Sequence, residues 1–268
     1  MQLEYPLSLK ETLCAGILPA GVSLAAGWAF ARLSGQGRLS DATRVLVAAV
    51  SAVLGARLVA VPGWIPASHW QWLPACGIVV AAFSLLTSRS AALVLAGYVS
   101  VSGVAAWLLV PAWDDLPLPR LVLVVFVAAT MVAVALSLRL SKPGQGGPAD
   151  IVVVLVTFVS AMIVLLSAGS LRLALVGMSS ASSVCGLLLA RVLTRSRAGA
   201  DSDALLSAVW LVGMLAARRL NSETGLMLWC FVLPPVAPLL FRAAELSFPR
   251  RFHPGGRRVI GLSLSLLA

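Results

Sequence analysis

The chain has 268 residues, of which 60% are hydrophobic and 11% charged, with a mean hydropathy of +0.98. Soluble domains carry about 25% charged residues, so this balance excludes an ordinary water-soluble fold. The net charge of +10 does not point to nucleic acid, because Lys and Arg stand singly or in pairs at the ends of apolar runs, where they act as topology signals.

The apolar runs have the length of membrane-crossing helices, roughly 20 residues. They are continuous and do not alternate, which favours helices over the strands of a barrel. The expected fold is all-α: a polytopic transmembrane helix bundle of about nine helices, or eight if one does not cross, with the N-terminus outside.

Met1–Glu11 is short and nearly neutral, and positive charge follows the first apolar run at Arg32, Arg38 and Arg44. Helix 1, about 13–32, therefore reads as an uncleaved span, made pliable by Gly16, Pro19, Gly21 and Gly27. Helix 2, about 43–62, contains Arg57 five residues inside its outer end. A charge inside a span marks a substrate or ion path, unless its long stem lets it snorkel to the headgroups. Both readings stand for Arg57. The loop Val61–Pro74 holds Trp64, Trp70 and Trp72 among three prolines and lacks Lys and Arg, which places it at the outer interface.

Helices 3 (about 73–87) and 4 (about 90–110) follow, and the second outer loop repeats the V-P-x-W of the first before Asp114-Asp115. That carboxylate pair has no third acidic ligand nearby in sequence and reads as a solvated loop. Helix 5, about 120–140, ends the five-helix half, residues 1–142. A Pro/Gly connector, 143–149, joins it to a four-helix half, 150–246, within one integral membrane domain. Asp150 is placed to cap helix 6, about 151–168.

Helix 7, about 173–193, carries Gly177, Ser179, Ala181, Ser182, Ser183 and Gly186, small residues recurring at four-residue spacing. Such spacing lets helix backbones approach closely. Gly177, Ala181 and Gly186 are expected in packing, and the serines either line a polar path or hydrogen-bond between helices. Asp201 and Asp203 stand near the start of helix 8, about 203–219, which ends in Arg218-Arg219. Helix 9, about 225–245, holds Pro234, Pro235 and Pro238, and its middle is expected to kink or to free backbone carbonyls at membrane depth. The tail, 247–268, carries Arg250, Arg251, Arg257 and Arg258, expected to rest on anionic lipid headgroups.

With the N-terminus outside and nine crossings, basic residues divide fourteen inside to five outside (Lys10, Arg120, Arg172, Arg218, Arg219), with Arg57 in its span. Arg218-Arg219 is the discordant pair and the reason for the eight-helix alternative. Arg outnumbers Lys nine to one, which suggests a GC-rich bacterial genome and so a bacterial inner membrane.

The expected function is a permease-like transporter of a small solute, with Arg57, Ser179, Ser182, Ser183, Pro234 and Pro235 as substrate-binding residues. A non-catalytic structural or assembly subunit of a membrane complex is the alternative, and a membrane-embedded enzyme the third reading. No Asp, Glu or His falls in the middle of an expected span, so the usual carboxylate or imidazole relay for proton coupling is missing. Two histidines and four scattered cysteines, Cys14, Cys76, Cys185 and Cys230, supply no zinc or haem ligand set, although Cys14 and Cys76 lie near the same face and a disulfide between them stays open. No metal, cofactor or catalytic residue is assigned. The expected partners are the lipid bilayer and a membrane protein or second copy of the chain, with no nucleic acid.

Overall fold

The computed structural model describes residues 10, 13–33, 38–59, 66, 68–86, 90–113, 116–139, 148–194, 200–221 and 226–247. A π-helical turn, Leu13–Ile17, leads into α1 (Leu18–Leu33) and α2 (Arg38–Val59). A 3-10 turn, His69–Trp72, then precedes α3 (Leu73–Leu86), α4 (Ala91–Leu109) and α5 (Arg120–Arg139). The second half holds α6 (Pro148–Ser167), α7 (Leu171–Thr194), α8 (Ala200–Asn221) and α9 (Leu228–Ser247). No strand occurs among the described residues. Asp114-Asp115, Trp64, most of the Pro/Gly connector and the tail with Arg250, Arg251, Arg257 and Arg258 lie outside them.

Five stretches are long and apolar enough to cross a membrane: Leu13–Phe30, Ala42–Val59, Ala91–Leu109, Arg120–Arg139 and Leu171–Thr194. Large apolar side chains point outward, among them Leu121, Val125 and Phe126 of α5 and Val159 and Ile163 of α6. Much of the interior is built from alanine, glycine and serine. A protein packed in water hides its large apolar groups; this distribution suits a bundle whose solvent is lipid.

Local chemistry accounts for the details at helix ends. Pro19 has no N–H for the carbonyl four residues back, and the chain just before it widens into the π turn. α6 begins at Pro148, a favoured first-turn residue, so Asp150 lies within the first turn and not at the cap position expected of it. α6 closes with Gly169 at φ +72°, where Gly169 N–H reaches Leu166 O at 2.9 Å and Ser170 N–H reaches Leu165 O at 3.0 Å, the paired bonds of a left-handed helix stop. α9 runs unbroken through Pro234, Pro235 and Pro238, all three buried where it packs on α5, α6 and α8.

α8 is the hub. Residues Ala204 to Leu215 are buried on every face, and the helix packs against α2 through α7 and α9. Its direction is fixed by the contacts along it: Ser84 of α3 meets Ser202, while Leu73 at the other end of α3 accepts from Trp210 Nε1 at 3.0 Å. α3 and α8 are thus antiparallel, whereas Tyr98 near the start of α4 reaches Asp201 and Leu109 at its end lies on Gly213, so α4 and α8 are parallel. α8 runs along the bundle antiparallel to α3 and parallel to α4, with Arg218-Arg219 in its last turn.

Arg218 instead donates to the Ala168 carbonyl at the end of α6. Arg120 does the same for α4, donating to Trp107 O at 3.0 Å while its guanidinium lies 4.0 Å from the Trp107 ring. His69 adds a bond from Nδ1 to Leu108 O at 3.1 Å. These residues satisfy carbonyls that a helix terminus leaves without partners. Two of the five basic residues on the expected outer side are therefore structural.

Candidate functional site

The serines of α7 form a seam with α1 and α2. Ser179 Oγ donates to Ala52 O at 2.9 Å. Ser183 and Ser23 each lie 3.1 Å from Ser51 Oγ, all three hydroxyls buried. Ser51 spends its single proton on Ala48 O at 2.9 Å, so it accepts from both neighbours. Around this ladder, small residues recur with one spacing on the two parallel helices: Gly16, Ala20, Ser23 and Gly27 on the α1 side, Ser179, Ser183, Gly186 and Ala190 on α7. A side chain at Gly186 would strike the α1 backbone at Ala20 and Leu24, and one at Gly27 would lie 2.6 Å from Ala190 Cβ. Gly177 serves a different neighbour, with Met214 of α8 over it, and Ala181 is half-buried against the core.

The other residues expected at a substrate site do not join this seam. Ser182 is half-buried. Arg57 is half-buried near the C-terminus of α2, one turn and a half beyond the serine ladder. Pro234 and Pro235 belong to α9, which packs on α5, α6 and α8, whereas the bonded serines of α7 face α1 and α2. The four cysteines are free thiols, Cys14 and Cys76 included.

A second constellation assembles at the N-terminal end of α8, which sequence reading left as a loop boundary. Acidic residues favour the first turn of a helix and basic residues the last, because each complements the backbone dipole. Antiparallel packing then brings the first turn of α8, with Asp201 and Asp203, against the last turns of α5 and α7, with Arg139 and Arg191. Asp201 Oδ1 pairs with Arg139 Nε at 2.6 Å, both side chains about one-third exposed at 33% and 29%. Tyr98 Oη donates to the Asp201 carbonyl at 2.9 Å, and the Arg139 guanidinium carbon lies 6.0 Å from the Tyr98 ring. Ser84 of α3 donates to Ser202 Oγ at 2.8 Å.

Asp203 has a different setting. It and Arg44 of α2 are each only 2% exposed, and their closest charged atoms are 3.9 Å apart. Neither carboxylate oxygen of Asp203 accepts a hydrogen bond. Arg191 adds favourable charge to the same carboxylate and Asp201 opposes it. Arg44 stands at the same end because it lies early in α2, which runs parallel to α8. Hydropathy along the chain carried one usable sign of this site: an Asp-x-Asp placed directly ahead of a run that is apolar on all faces.

The cluster unites two carboxylates, three guanidiniums, a phenol and two hydroxyls from six helices. Among the described residues no group of three His, Cys, Asp or Glu side chains comes together to hold a metal ion. Such an arrangement is suited to exchanging ion pairs and to holding a polar or charged solute, and it offers no nucleophile–base pair for covalent chemistry. Compared with protein families, curated proteins and solved structures, the chain matches none.

Proposed function

We propose that this chain is a multi-pass protein of a bacterial inner membrane, a permease-like carrier of a small solute, with nine crossings and the N-terminus outside. The polar site of the carrier is the cluster at the start of α8, on the cytoplasmic side in that orientation. The carrying observation is the buried Arg44–Asp203 pair. Burying an ion pair is often no better for stability than apolar side chains of similar volume, so its presence in an interior of alanine and leucine argues for a use. Charges inside membrane bundles mark substrate and ion paths. The serine seam, where hydroxyls are paired across helices, supports packing of α1, α2 and α7 and not a path.

Uptake by full-length protein in lipid vesicles, measured over a broad panel of small polar and weakly polar solutes, tests this. At least one solute should accumulate, and Asp203→Asn should reduce its uptake by about tenfold or more. Absence of protein-dependent flux for every solute overturns the carrier reading. The closed seam favours one other reading, a rigid assembly subunit, which predicts a stoichiometric partner on gentle detergent extraction.

A further inference from the structure

Asp201 and Asp203 stand two residues apart on one helix and live in opposite environments. The first is solvated and tightly paired at 2.6 Å; the second is buried, 3.9 Å from its counter-ion, and without a hydrogen bond to either oxygen. Neighbouring carboxylates placed so differently are assigned different protonation roles by their surroundings. Removing a carboxylate from water without hydrogen bonds leaves its charge dependent on nearby ions alone. For Asp203 those ions are Arg44 from α2 and Arg191 from α7, with Asp201 opposing them.

The remaining helices packed on α8 add no closer charge among the described residues. Arg139 of α5 is engaged with Asp201, and α4 presents Tyr98 to the same residue. α3 presents Ser84 to Ser202. α6 has no titratable side chain between Ile151 and Ser167, and the sequence of α9 carries Cys230, Arg242 and Glu245. The Arg44 contact, with Arg191 as a second favourable charge, is what a proton on Asp203 would replace.

We infer that Asp203 is a proton-binding site, loaded when the Arg44–Asp203 contact opens and emptied when it closes. One proton leaves water and bonds to a carboxylate oxygen of Asp203; the product is a neutral carboxyl beside a guanidinium that keeps its charge. No other bond forms or breaks. The separation of α2 from the first turn of α8 is the conformational step tied to this exchange. In the carrier proposed above, on which only the transport role of this site rests, the proton is the coupling ion.

The test is infrared difference spectroscopy on the full-length protein in lipid vesicles, with pH lowered through the range where carboxyls titrate. The wild type should gain a protonated-carboxyl stretch that is lost in Asp203→Asn and kept in Asp201→Asn. If Asp203→Asn does not fold, Asp203→Glu carries the test, since it retains a carboxyl and should shift the frequency of that band. A band unchanged in Asp203→Asn or in Asp203→Glu, or missing from the wild type, overturns the proposal. Solute uptake by the same vesicles is read separately: a carboxyl band without flux overturns the carrier and leaves the proton site standing.

Discussion

The seam of α1, α2 and α7 and the charged end of α8 are both polar regions buried in an apolar bundle, and they solve the problem of burial differently. In the seam every bonded hydroxyl is neutral and each donor has an acceptor: Ser23 and Ser183 on Ser51, Ser51 on Ala48, Ser179 on Ala52. Glycines and alanines bring the backbones close enough for those short side chains to reach. At the α8 end carboxyl and guanidinium groups are brought together, and Asp203 is left without hydrogen bonds beside Arg44. Satisfied neutral contacts rigidify a bundle, and a loosely held buried charge gives it an alternative state.

Removing one charge of the buried pair should have the largest effect. Asp203→Ala or Arg44→Ala breaks the buried pair from one side, which costs about 3–5 kcal/mol in well-buried pairs. Thermal unfolding in detergent should show the largest loss of any variant here, and the pair Arg44→Met with Asp203→Leu should recover most of it. If the double variant is as unstable as either single one, the pair is needed for structure and the contrast fails.

Crowding the seam comes next. Gly186→Val would drive its side chain into the α1 backbone at Ala20 and Leu24, and overpacking of this kind costs about 1–3 kcal/mol. The expected result is a lower unfolding temperature with α1 more open to proteolysis than the rest. An unchanged midpoint would mean that α1 can shift away from α7 freely.

The smallest effects separate hydroxyl from surface ion pair. Ser51→Ala removes the acceptor for two hydroxyls, and interhelical hydrogen bonds in membranes average about 0.6 kcal/mol each. Asp201→Asn loosens a partly exposed pair worth about 0–1 kcal/mol. Added salt should diminish the second effect and leave the first as it is; a salt-dependent Ser51→Ala would place ions, and not hydroxyls, at the heart of the seam.

Much of this was legible along the chain. The helix positions of α3, α4, α5 and α7 follow from uninterrupted apolar runs, and the small residues of α7 lie where α1 and α8 come close to it. Arg218 stands discordant on the expected outer side, and the Ala168 carbonyl it serves is visible only in the packed structure. The prolines of α9 and the serines of α7 read as one site because both are unusual within spans, and the structure puts them on different neighbours.

Apolar runs along the chain place the helices to within a few residues and mark five of them as long and apolar enough for lipid, because those properties depend on contiguous residues. Packing of the helices, in contrast, makes α8, framed by charges at both ends, the most enclosed helix among the described residues, and makes partners of Arg44 and Asp203, 159 positions apart in sequence. Burial depends on how many helices surround a residue, and an ion pair on which helix ends antiparallel packing brings together. Neither quantity is local, so neither is written in the order of residues along one span.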